Sequence, residues 1–201
     1  MATINNPKMR EAFRDQVLQH ISTIPLAADD NYFKTSTVLA AQTTTLAAAS
    51  MTKSYTPTTP VVPVLVIVND VASGETSWTS VAATMVGLDQ FGRRVAETVA
   101  AVDSSDTWTA TWTTAFATLI SVSFTITGGT AADGSDTYIL GYAKTYGLGV
   151  KIGASADVIV HNFNGATDAG TISTVNHTYV VAGTPDAAKI LEFWIRSSAY
   201  E

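Results

Sequence analysis

Short runs in which apolar and polar residues alternate make up most of the chain after Tyr32, and they restrict the fold more than any other feature. In the clearest run, from Thr107 to Thr113, two tryptophans and an alanine take every second position and threonines take the others. Because successive side chains of a β-strand point to opposite faces, this run predicts a strand with one buried face. Threonine occurs 31 times in the chain, and β-branched residues favour a pleated surface. The pattern predicts a mainly β protein.

The alternating runs are short and are separated by turn residues. Asp89 and Gly92 fit the first and last positions of a type I turn, which would join residues 79–88 to residues 93–99 as a hairpin. About nine or ten strands at this spacing are typical of an antiparallel β-sandwich, jelly roll or barrel. The other predicted strands are 43–50 (also interpreted as a stiff linker), 64–68, 107–113, 120–126, 138–142, 148–152, 157–163, 178–181 and 190–196.

The first residues of the chain have a different pattern. Asn6 followed by Pro7 is a typical helix start, since asparagine caps the first turn and proline fits the first helical position. An apolar residue then recurs at every fourth position, which predicts a helix of about four turns with one apolar stripe that ends at Pro25. The stripe consists of Met9, Phe13, Val17 and Ile21.

These patterns divide the chain into three predicted segments. Residues 1–31 form a helical arm, residues 32–77 an extended Pro/Thr-rich arm with the first strands, and residues 78–201 a β-sandwich domain. Proline cannot donate to a strand ladder, so Pro63 predicts that the central strand begins only at Val64. The predicted fold class is mainly β: an antiparallel β-sandwich or jelly-roll-like domain with an N-terminal helix and an extended arm.

Composition excludes several classes of partner. The chain has 11 basic and 17 acidic residues, a formal net charge of -6, whereas a nucleic-acid interface needs clustered Lys and Arg. Cysteine is absent, which excludes disulfides and thiolate metal sites. The longest apolar run, 61–68, is too short for a membrane span, and the N-terminus lacks a secretory-signal pattern. We expect a protein made in a cytoplasm that binds neither nucleic acid nor membrane.

The sequence contains no pattern that matches a catalytic or cofactor motif. Ser155 lacks the second flanking glycine of a nucleophile elbow. His161 and His177 have no recognised metal-ligand spacing relative to Asp157 or Asp168. We therefore expect no enzymatic activity, no metal and no cofactor.

Three tryptophans have two interpretations. One interpretation is a sugar-stacking platform, as in carbohydrate-binding modules, formed by Trp78, Trp108 and Trp112. The other is that these side chains pack in the core or at a subunit interface, which is the commoner role of aromatic residues at alternating strand positions. Charged residues make up 14% of the chain, against about 25% in typical globular domains. This low fraction fits a protein that lies against partners as an assembly subunit, and it fits a compact β protein equally well.

Several segments, taken in order, resemble the decoration (capsid cement) proteins on the heads of tailed bacteriophages. The hairpin GLDQFGRRVAETV, residues 87–99, resembles their G-x-D-x-x-G-x-x-x-x-E-T stretch. AFATLISVSFTI, residues 115–126, matches the short strand that follows it. GLGVKI, residues 147–152, matches a GLP-like segment, with Gly149 in place of the usual proline. GTPDAAKILEFWIRSSAY, residues 183–200, resembles the closing turn and aromatic strand, so the matching region covers residues 79–200.

The resemblance implies a β-sandwich that sits on an icosahedral shell, often as a trimer, and clamps neighbouring capsid proteins. We therefore expect a virion protein on the capsid surface that binds the major capsid protein and further copies of itself. The alternative is a tail, baseplate or glycan-binding host-recognition protein. The predicted partner-binding residues are Met9, Phe13, Val17, Ile21, Trp108 and Trp112. The apolar stripe is expected to pack against one of three surfaces: the β-sandwich of the same chain, a neighbouring subunit or the capsid shell.

Overall fold

The computed structural model describes residues 16–25, 27–39, 41–47, 50–51, 59–71, 76–132 and 134–198. Within these ranges the chain forms mainly β-strands, all paired antiparallel, and it includes a 3-10 turn at Ser155–Asp157. The predicted mainly β class is therefore confirmed. None of the described residues belongs to a helix long and apolar enough to span a membrane.

The strands are numbered in chain order. They are β1 (Gln16–Thr23), β2 (Asp29–Val38), β3 (Thr43–Ala47), β4 (Val61–Val68), β5 (Ser80–Asp89), β6 (Arg94–Ala100), β7 (Val102–Ser104), β8 (Thr107–Thr111), β9 (Phe116–Thr127), β10 (Thr137–Gly147), β11 (Val158–Phe163), β12 (Ala166–Thr167), β13 (Thr171–Ser173), β14 (Thr178–Val180) and β15 (Leu191–Ser198). The predicted hairpin around Asp89 is confirmed, because β5 pairs with β6 and the Gly92 N–H donates to the Asp89 carbonyl at 2.9 Å.

A larger, curled sheet encloses most of the core. β4 pairs with β10 along one edge, and with β8 and then the start of β9 along the other. β9 continues between β3 and β5, while β2 and β14 pair with the second edge of β10. The inward side chains of these strands meet inside the curl. Those that are at most 1% exposed include Phe33, Leu65, Ile67, Met85, Trp112, Phe124 and Leu140.

β6, β7 and β13 complete the larger sheet, and the other four strands form a smaller sheet in the order β1-β15-β11-β12. Its inner face packs against the larger sheet through Phe193, whose ring lies 4.9 Å from that of Tyr179 on β14. Phe193 and Ile195 are fully buried, and Ile21 of β1 packs against the same core. The opposite face of the smaller sheet, with Trp194, is turned to solvent.

The predicted N-terminal helix is wrong over the residues that the structure describes. The chain from Gln16 to Thr23 forms β1, which pairs with β15 over its whole length. Positions four apart share one face of a strand as well as one face of a helix, so the apolar spacing fits both. The backbone hydrogen bonds that β1 forms with β15 favour the strand over the helix. Met9, Phe13 and the predicted helix start lie outside the described residues, and the division of the chain into three segments stays a prediction.

β4 begins three residues earlier than predicted, and it includes Pro63. The carbonyl of Pro63 accepts a hydrogen bond from the Trp112 N–H at 3.3 Å, so this side of the residue faces the break between β8 and β9. The N–H and C=O groups of one residue point to the same side of an antiparallel strand. The missing N–H of the proline therefore faces the interrupted ladder, where little pairing is lost.

The strand predicted at 148–152 is also wrong, because β10 ends at Gly147 and a loop follows. Two backbone N–H groups of this loop donate hydrogen bonds to side chains from other parts of the chain. The Gly149 N–H donates to Gln90 Oε1 at 2.9 Å, and the Ile152 N–H donates to His177 Nδ1 at 3.1 Å. Gly149 has a φ of 68°, which a strand does not allow. Buried Leu148 and Ile152 caused the error, since apolar alternation does not distinguish a strand from a packed loop.

Glu97 of β6 holds the segment between β8 and β9. Its carboxylate accepts hydrogen bonds from the N–H and Oγ1 of Thr113, at 2.9 and 2.7 Å, and from the Thr114 N–H at 2.9 Å. The Trp112 indole donates to the Glu97 carbonyl at 3.0 Å. Burial acts to raise the pKa of the Glu97 carboxyl, but the bonds from Thr113 and Thr114 outweigh it and lower that pKa. This cluster fixes Trp112 in the core.

We expect Trp112→Ala to reduce the free energy of unfolding by about 3–5 kcal/mol, because it removes a large side chain from a packed interior. Trp112 is 1% exposed, whereas Trp194 is 40% exposed and is a matched control. Trp194→Ala should cost about 1 kcal/mol or less. Urea unfolding followed by circular dichroism compares the two variants, and equal losses would contradict the placement of these side chains.

Candidate interaction surfaces

The tryptophans emphasised by the sequence lie in the core. Trp78, Trp108 and Trp112 are 4%, 5% and 1% exposed. The Trp78 indole donates to the Thr130 carbonyl at 3.0 Å, as the Trp112 indole does to Glu97. This placement fits core packing, and it offers no ring face to a sugar. The partner-binding role of Trp108 and Trp112 stays a prediction.

The fourth tryptophan lies on the outer face of the smaller sheet. Trp194 stacks on His20 of β1, with ring centroids 4.5 Å apart and an interplanar angle of 27°. His20 is opposite Trp194 on one side and Val160 of β11 is opposite it on the other. Glu192 and Arg196 are two positions away along β15 and share the same face. We call these five residues the tryptophan face.

The chemistry of the tryptophan face is mixed. The ring supplies apolar area, while Glu192 and Arg196 supply one charge of each sign. Glu192 Oε1 also lies 3.7 Å from His20 Nε2. Tryptophan and arginine are enriched among the residues that dominate protein–protein binding. The arrangement is therefore suited to docking on another protein.

Sequence reasoning missed Trp194, although a signal for it was present. Leu191, Phe193 and Ile195 alternate with polar residues and predict the buried face of the strand. The same alternation places Trp194 on the opposite, exposed face. The informative feature was a large aromatic residue at a position where the alternation of the strand predicts a solvent-facing side chain.

A second surface covers the outer face of five adjacent strands of the larger sheet, β7, β8, β4, β10 and β2. Val66 is opposite Thr109 of β8 and Ile139 of β10. Val102 of β7 is in turn opposite Thr109. In the next row, Val68 is opposite Thr107 and Thr137, and Val38 of β2 is opposite Thr137. We call this surface the valine face; it consists of Val38, Val64, Val66, Val68, Val102 and Ile139, with Thr107, Thr109, Thr111 and Thr137 between them.

The valine face is open to solvent in the single chain. Val38, Val68 and Val102 are 55%, 40% and 71% exposed. A depression of about 450 Å³ adjoins it at Val64, and Asp30 lies at its rim. Exposed apolar side chains that form one continuous area mark interaction sites more often than scattered ones do. Both candidate surfaces thus have features that are common at protein interaction sites.

The histidines highlighted by the sequence do not meet each other. His161 Nδ1 lies 3.1 Å from the Tyr179 hydroxyl, which donates to Asp168 Oδ2 at 2.8 Å. Tyr179 has one hydroxyl hydrogen, so His161 must donate its Nδ1–H to the tyrosine oxygen. Asp168 also accepts the N–H groups of Ala182 and Gly183 at 3.0 and 3.2 Å. The network joins the two sheets, and both carboxylate oxygens of Asp168 accept hydrogen bonds in it.

His177 lies elsewhere, beside a polar cleft of about 260 Å³ next to the β5–β6 turn. Burial lowers the pKa of His177, and the positive charges of Lys151 and Arg93 lower it further. Arg93 is already paired with Asp89 at 2.7 Å. Among the described residues, no three His, Asp or Glu side chains are grouped so that they would hold a metal.

We expect Asp168→Asn to reduce the free energy of unfolding by about 2 kcal/mol at neutral pH, since it weakens hydrogen bonds to a buried charge. Burial acts to raise the pKa of Asp168, but bonds from Ala182, Tyr179 and Gly183 hold it below its ordinary 3.8. A lowered folded-state pKa stabilises the fold above the unfolded pKa, and this stability is lost as the pH falls through the folded pKa. The difference between wild type and variant should therefore shrink below about pH 4.

Urea unfolding at pH 7 and pH 3 measures this difference. Asp30→Asn, at an exposed aspartate, is the matched control and should leave stability unchanged at both pH values. A loss at Asp168 that is equal at pH 7 and pH 3 would show that its charge does not contribute.

No protein-family model, no curated protein and no solved structure matches this chain. Its function is therefore inferred from the chemistry of the described surfaces, together with the short motifs in the sequence.

Proposed function

We propose that this chain is a virion structural protein that binds and stabilises an icosahedral bacteriophage capsid as a decoration or cement protein. The observation that carries the proposal is the tryptophan face, where a 40% exposed Trp194 lies between charged side chains on a hydrogen-bonded sheet. The ordered motifs between residues 79 and 200 support the same function. We assign the curled sheet and the smaller sheet to a sandwich-like or jelly-roll-like architecture.

The physical basis of capsid stabilisation is mass action. A protein that binds the assembled shell but not its separated subunits shifts the equilibrium towards the shell. Many weak contacts on one particle add up through avidity. A rigid sheet suits this task, because its backbone is already ordered and loses little conformational entropy on docking.

The tryptophan face is suited to reversible contact with a shell. Interfaces between proteins that also exist apart are about as polar as the rest of the surface, with a few aromatic or arginine side chains providing most of the affinity. Trp194 and Arg196 are such residues, while Glu192 and His20 form the polar surround. We assign the major capsid protein as the partner of this face.

Residues 1–15 are proposed to add a second contact. They precede β1, the edge strand that carries His20 of the tryptophan face. They contain Met9 and Phe13, and their three basic residues, Lys8, Arg10 and Arg14, are suited to an acidic protein surface.

We expect Trp194→Ala to weaken binding to particles at least tenfold, because the loss of about 1.4 kcal/mol or more is typical when a central aromatic residue is removed. Particles stripped of the protein are mixed with purified variants, and the bound fraction is measured after sedimentation. Val175→Ala, at a valine that is 84% exposed in the turn between β13 and β14, is the matched control and should bind normally.

Unchanged binding by a folded Trp194→Ala variant would contradict the assignment of this face. The second candidate function is host recognition through a glycan, which is favoured by the same exposed ring with polar neighbours. A glycan array separates the two. Binding to a glycan that Trp194→Ala abolishes, without binding to particles, would favour the second function.

Deletion of residues 1–15 tests the arm separately. The deletion ends before Gln16, so β1 and its pairing with β15 are retained, and we expect the melting temperature to change little. Particle binding should fall, because one of two linked contacts is lost. A truncated protein that unfolds, or one that binds particles as tightly as the full chain, would contradict the arm.

A further inference from the structure

β4 has the composition of a strand that is covered on both faces. Its sequence, VVPVLVIV, is apolar throughout, whereas an antiparallel strand with one solvated face normally alternates. Leu65 and Ile67 fill the core and are fully buried. Val64 and Val66 point outward and are half-buried, and Val68 is 40% exposed. Over the described residues, the outer face of β4 is therefore less covered than its inner face, most clearly at Val68.

The apolar character continues beyond β4. One row of the valine face runs from Val102 through Thr109 and Val66 to Ile139. The adjacent row runs from Thr107 through Val68 and Thr137 to Val38. Each residue is opposite its neighbour in the register, so the side chains form one area across five strands.

The outward positions of these two rows carry no charged side chain. This matters because the chain has a net charge of -6, so identical copies repel one another. Around a rotation axis, each residue near the axis meets its own equivalent, and any charge there meets a like charge. An uncharged apolar area avoids that repulsion, which points to another copy of this chain as the occupant.

The size of the valine face fits the centre of such a contact. Five strands about 4.8 Å apart, over about five residues of about 3.3 Å each, span roughly 400 Å². A stable interface needs about 800 Å² from each partner, with an apolar core and a polar rim. The valine face would supply the apolar half. Permanent oligomer interfaces are more hydrophobic than transient ones. The apolar valine face fits the permanent class better than the tryptophan face, which combines apolar and charged side chains.

We propose that the valine face is the contact between copies of this chain, packed face to face around the symmetry axis of a homo-oligomer. The apolar side chains of facing sheets interdigitate at a spacing of about 10 Å. This contact leaves the tryptophan face, on the other sheet, free for a partner. It does not depend on the capsid-binding role.

The test is the mass of the full chain and of two variants by sedimentation equilibrium. Val66→Lys places a charge at the centre of the valine face, and Val102→Lys places one at its most exposed residue, where folding is not at risk. Ala96→Lys, on the exposed side of β6, is the matched control. Wild type and the control should be dimers or trimers at micromolar concentration. Both valine variants should dissociate at least tenfold more readily, with unchanged circular dichroism.

A wild-type chain that stays monomeric at micromolar concentration would overturn the proposal. So would a folded Val102→Lys variant with an unchanged mass and dissociation constant. If the valine variants keep the wild-type mass but lose particle binding, the face belongs to the shell instead. If Val66→Lys fails to fold, Val102→Lys alone decides.

Discussion

The position of β4 between two hydrogen-bonded neighbours is the constraint on which the rest of the structure depends. Both edges of this strand are paired, and both of its faces are apolar. One face supplies Leu65 and Ile67 to the core around which the larger sheet curls. The other face is left as the centre of an exposed valine surface. A single apolar strand thus contributes both to the interior of the protein and to one of its exposed surfaces.

The two exposed surfaces differ in composition, and this difference favours a division of roles. The valine face is uncharged and wide, like the interface of a permanent oligomer. The tryptophan face centres on one ring, with Glu192, His20 and Arg196 around it, like the interface of a reversible complex. A protein that assembles with itself and then attaches to a larger body needs one surface of each kind. A decoration protein on a capsid fits that description.

Sequence alternation predicted much of the larger sheet because the local signal there is unambiguous. The turn at Asp89 and Gly92 is specified by its own residues, since Asp89 Oδ1 accepts the N–H groups of Phe91 and Arg93 at 2.9 and 2.8 Å. Trp108 and Trp112 face the core, as the alternation of β8 indicates.

Elements that depend on distant partners were not predictable in this way. β1 is specified by β15, at the other end of the chain, and its spacing of apolar residues fits a helix equally well. The loop after Gly147 is held by Gln90 and His177, which no local pattern reveals. Trp194 was not singled out from the sequence, because Trp108 and Trp112, at alternating positions of one strand, gave the stronger aromatic pattern. Tertiary pairing decided β1 and the loop, whereas the exposure of Trp194 follows from the alternation of its own strand.

A cryo-electron density map of intact bacteriophage particles that bind this chain tests the proposed function most directly. If the chain is a decoration protein, density for it is expected at many equivalent positions on the capsid surface. In that density the tryptophan face should lie on the major capsid protein, and the valine faces should meet between copies. Density confined to the tail or baseplate, or a capsid-bound chain with its valine face in solvent and Trp194 away from the shell, would contradict it.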